Sequence, residues 1–143
     1  MTDLTLATAM TILEAALATR QERGIKPLAV AVLDAGGHLK ALQAEDGASF
    51  LRPKVAHGKA YGALAIGMGS RALMARAEQQ AHFINSVNHL CDGALVAVPG
   101  GVLMRDGAGK LIGAVGISGD TSDNDEACAI AGIEAAGLVA ETG

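Results

Sequence analysis

The 143-residue chain has no tryptophan, one tyrosine and two phenylalanines. Surfaces that stack nucleobases need several aromatic rings, and Phe50, Tyr61 and Phe83 do not supply them. Cations are not in excess either. Lys and Arg total 11 against 15 Asp and Glu, for a formal net charge of −4, whereas binding by counterion release needs clustered positive charge. Nucleic acid is therefore not an expected partner. Cys91 and Cys128 are too few for a disulfide framework and read as buried, inert thiols. No apolar run approaches the roughly 20 residues of a membrane helix. The opening Met1-Thr-Asp-Leu-Thr5 lacks the basic stretch of a secretory signal. The expectation is a cytoplasmic protein with no membrane partner.

What the chain does have is small and apolar. Half of its residues are hydrophobic and 19 are glycine. That suits one domain over residues 1–143 with a single real core, and tight packing with shallow pockets.

Residues 4–23 read as a first helix. Leu6, Met10, Leu13 and Leu17 recur at helical spacing, Thr2, Asp3 or Thr5 can cap its start, and Gly24 and Pro27 end it. Residues 28–34 and 39–44 read as a hairpin around Ala35-Gly36-Gly37-His38. Pro53 opens a helix over 53–67, Gly67-Met68-Gly69 breaks it, and Ser70 caps another over 71–80; residues 83–92 fit more than one state. Residues 95–98, 102–105 and 110–118 read as strands, and 124–141 as a last, slim helix with acidic capping near Asp123 and Glu126. The predicted order is α-β-β-α-α-β-β-β-α. Hairpins without βαβ alternation indicate an α+β fold with an antiparallel sheet.

Gly113, Gly116 and Gly119 fit neither dinucleotide nor P-loop spacing. Four carboxylates, Asp120, Asp123, Asp125 and Glu126, would repel a phosphate there. Those glycines read instead as permitting close helix–sheet contact. His82 and His89 lie about 10.5 Å apart along a helix, and no recognised metal spacing is present; no metal is expected. The densest polar stretch is Arg52-Pro-Lys54-Val-Ala-His57-Gly-Lys59-Ala-Tyr61. Arg52 and Lys59 share a helix face, and His57 lies one turn from Lys54 and Tyr61. Cations beside a histidine make a seat for a carboxylate, with His57 as acid or base near neutral pH. The plainer alternative is a solvated basic face.

Several motifs carry a resemblance. Val30-Ala-Val-Leu-Asp34-Ala-Gly36-Gly37-His38-Leu39, Asp46-Gly47-Ala48, Lys59-Ala60-Tyr61, Val98-Pro99-Gly100-Gly101, Asp106-Gly107, Gly113-Ala-Val-Gly116-Ile-Ser118-Gly119 and Asp125-Glu126 occur in this order. Together they resemble, over essentially the whole chain, the haem-binding family of GlcG proteins, HbpS proteins and the C-terminal domain of PduO-type adenosyltransferases. The resemblance implies a five-stranded antiparallel sheet flanked by helices, homo-oligomers from dimers to octamers, and in some members haem or a related tetrapyrrole. The sequence departs from the family pattern at Gln43-Ala44-Glu45, at Gly62 and at Leu103. Glu45 near His57 and Lys59 would create a mixed-charge cleft suited to acid–base work.

Two functions follow as expectations. The first is a small-molecule-binding protein that holds haem at a subunit interface, with His57 or another exposed histidine as axial ligand. The second is a cofactor-free isomerase or lyase of a catabolic operon acting on a small oxygenated acid. There Lys59 and Arg52 would anchor the carboxylate, His57 and Glu45 would move protons, and backbone N–H groups near Gly100, Gly101 or Gly116 would stabilise an oxyanion. Tyr61 and Ser118 complete the expected ligand contacts. Both expectations need the cationic segment to fold against the glycine-lined hairpins and form a pocket with them.

Overall fold

The computed structural model describes residues 3–143. In chain order the elements are α1 (Leu6–Arg23), β1 (Ala29–Asp34), β2 (Leu39–Ala44), α2 (Arg52–Ile66), α3 (Ser70–Gln79), α4 (Ala81–Leu90), β3 (Gly101–Arg105), β4 (Leu111–Ser118), α5 (Ser122–Ala135) and β5 (Val139–Glu141). The five strands form one antiparallel sheet in the order β2-β1-β4-β3-β5. The α+β class and the five-stranded antiparallel sheet flanked by helices are thus present.

Local chemistry sets the helix ends. Thr5 caps α1 by accepting from the Thr8 N–H at 3.1 Å, and Gly24 closes it at φ +64°. Of the other cap candidates, Asp3 is not used and Thr2 lies outside the described residues. α5 is capped by the Thr121 hydroxyl, which accepts from Asn124 N–H, rather than by Asp123. The buried face of α1 is Ala9, Ile12, Leu13 and Ala16, whereas Leu6 is exposed.

Each sheet face follows the two-residue alternation of its strands. Val30, Val32, Val102, Met104, Val115 and Ile117 point toward α1 and α5. Ala29, Ala31, Leu33, Leu103 and Ala114 point toward α2 and meet Ala56, Ala60 and Ala63. The α2 side is built of small residues, so the helix lies very close to the strands. Gly101 and Gly116 are directly paired across β3 and β4. A Cβ on Gly116 would sit 1.8 Å from the Ala56 carbonyl oxygen, and one on Gly101 would sit 2.2 Å from that of Lys59. These two glycines let the backbone of α2 rest on the sheet.

Two segments differ from expectation. Residues 95–98 are not a strand. Gly58 and Gly62, one turn apart on α2, leave room for Val96 and Leu95, and Val96 N–H donates to the Gly58 carbonyl. This apolar run packs across the helix instead of joining the sheet, while residues 81–90 form α4. The last helix stops at Ala135. Gly137 adopts φ +76°, Leu138 N–H returns to the Ile133 carbonyl, and the chain then supplies β5 at the sheet edge. No helix among the described residues is long and apolar enough to cross a membrane.

Candidate functional site

Helix α2 carries the polar stretch of the sequence on two faces with different fates. Pro53 in its first turn and Gly67 at φ +87° delimit it. Its outer face bears Lys54, His57 and Tyr61. The His57 and Tyr61 rings stack with centroids 5.5 Å apart, as the four-residue spacing requires. Neither ring nitrogen of His57 is hydrogen-bonded to another described residue. His57, Lys54 and Gly58 floor a groove of about 410 Å³ walled by Leu42 of β2 and by Asp92 and Val96 of the segment that crosses the helix. A groove of this size falls within the roughly 300–1,000 Å³ of small-molecule sites. Its surroundings are apolar and exposed: Leu42 is 43 % accessible, Leu51 52 % and Phe50 95 %.

The inner face holds Lys59, which is only 2 % accessible. Its ammonium donates to the Ile117 carbonyl at 2.8 Å and to Asp125 at 3.2 Å. The second oxygen of Asp125 accepts from Asp120 N–H. Burial lowers the Lys59 pKa against the opposing pull of Asp125, and nearby Arg52 lowers it further. Lys59 is therefore a core ion pair and does not reach the groove. Arg52, at the first position of α2, donates to the Ser118 hydroxyl at 3.0 Å and faces a separate, smaller cavity.

The expected mixed-charge cleft does not form. Glu45, just past β2, is bound by two of the three Arg20 guanidinium nitrogens at 2.7 and 3.0 Å and accepts from Leu28 N–H, which ties the end of β2 to α1 instead of to His57 and Lys59. Backbone groups of the expected glycines are also engaged. Gly101 N–H donates to Ser70 Oγ at 2.7 Å, the Gly100 carbonyl accepts from Ile117 N–H, and Gly116 lies inside the ladders of β4. Of the expected site residues the structure places His57 at the groove and stacks Tyr61 on it, while Tyr61 itself lines a separate small cavity with Gly36, Gly37 and Leu64. It leaves Arg52 with Ser118, Lys59 with Asp125, Glu45 with Arg20, and Gly100, Gly101 and Gly116 under α2.

Sequence reasoning missed Leu42, Asp92 and Val96 as groove walls and Asp125 as the partner of Lys59. The signal for the last was present: a lysine on the same helix face as Ala56, Ala60 and Ala63 must be buried, and a buried lysine requires a carboxylate. The acidic residues at α5 serve such pairings. Arg71 binds Asp123 and Glu126, and Asp120 accepts from Lys26 N–H, Thr121 N–H and Asn124. Among the described residues no three His, Cys, Asp or Glu side chains gather as a metal site.

None of the curated proteins matches the chain in sequence at a significant level. Solved structures share its fold. The PduOC:haem complex is 24 % identical with a TM-score of 0.84 over 95 % of this chain and 96 % of that one. A double mutant of Streptomyces reticuli HbpS is 25 % identical with a TM-score of 0.80 over 94 % and 87 %. Protein ORFY of Klebsiella pneumoniae is 22 % identical with a TM-score of 0.84 over 94 % and 90 %. The model of the family described as haem degrading protein HbpS-like matches residues 4–134, and the chain belongs to that HbpS-like family.

Proposed function

We propose that this protein binds haem or a related tetrapyrrole in the groove over α2, at an interface between subunits of a homo-oligomer, with His57 as axial ligand. The observation that carries the reading is the placement of an imidazole with no hydrogen-bond partner among the described residues on the floor of a largely apolar groove. A neutral imidazole nitrogen is a ready iron ligand. The residues present fit the group: Leu42 and Val96 offer apolar walls, Tyr61 fixes the His57 ring by stacking, and Lys54 offers a cation for a propionate. Bound iron would supply the redox and ligand-binding chemistry; the chain's part is to hold, orient and shield it. Exposed Phe50, Leu51 and Leu42 around the start of α2 support an interface there, since a second copy would cover them and close the open groove. The membership in the HbpS-like family and the PduOC:haem complex among the structural relatives support the same ligand class. No geometry favours the acid-processing alternative, because Glu45 and Lys59 are paired away from His57.

Haemin titration followed at the Soret band tests the proposal. A saturable shift that reaches one haem per subunit or per dimer, and that is lost in His57→Ala, is the expected result. An unchanged titration of the variant would remove His57 from the role. The absence of any saturable shift in the wild type would overturn the reading.

A further inference from the structure

Arg52 stands apart from the other arginines. Arg20 is paired with Glu45, Arg71 with Asp123 and Glu126, and Arg105 with Glu141. Arg76 lies 3.9 Å over the Phe83 ring, and Arg23 is exposed. Arg52 is half-buried, yet among the described residues no carboxylate lies within ion-pairing distance of it; one nitrogen donates to Ser118 Oγ and the others have no partner there. A half-enclosed guanidinium without a counter-ion is costly unless an anion completes it.

The cavity in front of it has the matching shape. It measures about 210 Å³ and is lined by Arg52, Lys26, Gly119 and the turn Gly47-Ala48-Ser49. That is below the roughly 300 Å³ at which drug-sized ligand sites begin, so it admits a small molecule and not a tetrapyrrole. The neighbouring acids are already satisfied: Asp120 by three donors, Asp125 by Lys59, Glu45 by Arg20. Their negative charge disfavours a dianion such as phosphate, and because the exposed Lys26 already acts electrostatically on Asp120, a single carboxylate matches the half-buried Arg52.

We propose that this cavity is a second binding site, distinct from the groove over His57, that takes a small monocarboxylate on the guanidinium fork of Arg52, with Lys26 and the Ser49 hydroxyl as further donors.

Acetate and lactate, titrated at constant ionic strength against the haem-free protein, test this by backbone amide NMR. Saturable shifts are expected at Gly47, Ser49 and Gly119, with a Kd raised at least about tenfold in Arg52→Gln. Lys26→Gln alters an exposed side chain, keeps the test open if Arg52→Gln does not fold, and should weaken binding a few-fold. His57→Ala should bind both acids as the wild type does, so loss of the haem reading leaves this result standing. Shifts centred on Lys54 and His57 instead, equal affinities in the wild type and both cavity variants, equal response to sodium chloride, or tighter binding of inorganic phosphate would each overturn the proposal.

Discussion

The Lys59 ammonium lies 3.2 Å from the Asp125 carboxylate, and neither side chain exposes more than 2 % of its surface. This contact ties α2 to the first turn of α5 across the end of β4, where Lys59 also donates to the Ile117 carbonyl. Two charges removed from water are held only by each other and by these few hydrogen bonds. Removing one partner strands the other. Lys59→Ala and Asp125→Ala should each destabilise the protein by about 3–5 kcal/mol in urea unfolding. The double change Lys59→Met with Asp125→Leu should cost less than the two single changes added together. Single-variant losses below about 1 kcal/mol would mean that the pair is solvated.

The glycine pair beneath α2 makes a second prediction. Gly116→Ala puts a methyl group where the Ala56 carbonyl oxygen already sits, 1.8 Å away. Neither the strand backbone nor the helix backbone can yield cheaply, so a loss of about 3 kcal/mol or more is expected. Gly107→Ala serves as a comparison, because its Cβ would meet nothing within 4 Å; it should change stability by less than about 0.5 kcal/mol. Similar unfolding midpoints for the two variants would contradict the close helix–sheet contact.

Asp120 governs an acid-side effect. Its hydrogen bonds from Asn124, Thr121 N–H and Lys26 N–H hold its pKa down to about 2, below the ordinary aspartate value of 3.8. A carboxyl with a lower pKa in the native state adds stability that is complete above the unfolded value and disappears as pH falls through the folded one. The stability gap between wild type and Asp120→Ala should therefore be level near neutrality and narrow between about pH 4 and pH 2. Urea unfolding at several pH values measures it, and a gap that widened with acid would reverse the sign.

The two thiols differ in access. Burial pushes Cys128 up to about 11, while Cys91 is also raised but only partly buried. Thiolate is the reactive species. An aromatic disulfide reagent at pH 8 should label Cys91 first and Cys128 only when the protein unfolds. Equal rates for both in the native protein would show that α5 opens readily.

Much of this architecture is legible in the chain because its signals are local. Gly24 and Pro27 end α1, Gly36-Gly37 turns the first hairpin, and Pro53 starts α2, each through its own backbone preference. The errors have a different origin. Leu95 to Val98 has the composition of a strand, and only the space left by Gly58 and Gly62 on another element decides that it lies across α2. β5 is three residues long and follows a helical run, so Gly137 reads as one more small residue rather than as the helix end. For the site, the three-and-four spacing finds His57 with Tyr61 and Lys54. It cannot tell that Glu45 pairs with Arg20, 25 residues earlier, because that contact exists only once β2 and α1 are side by side.

The most direct test of His57 as the axial ligand is the electron paramagnetic resonance spectrum of the ferric haem complex. The wild type should show axial imidazole ligation, His57→Ala should lose it, and free imidazole added to that variant should bring it back. Identical spectra from wild type and variant, with no response to imidazole, would contradict a ligand held by His57 in the groove over α2.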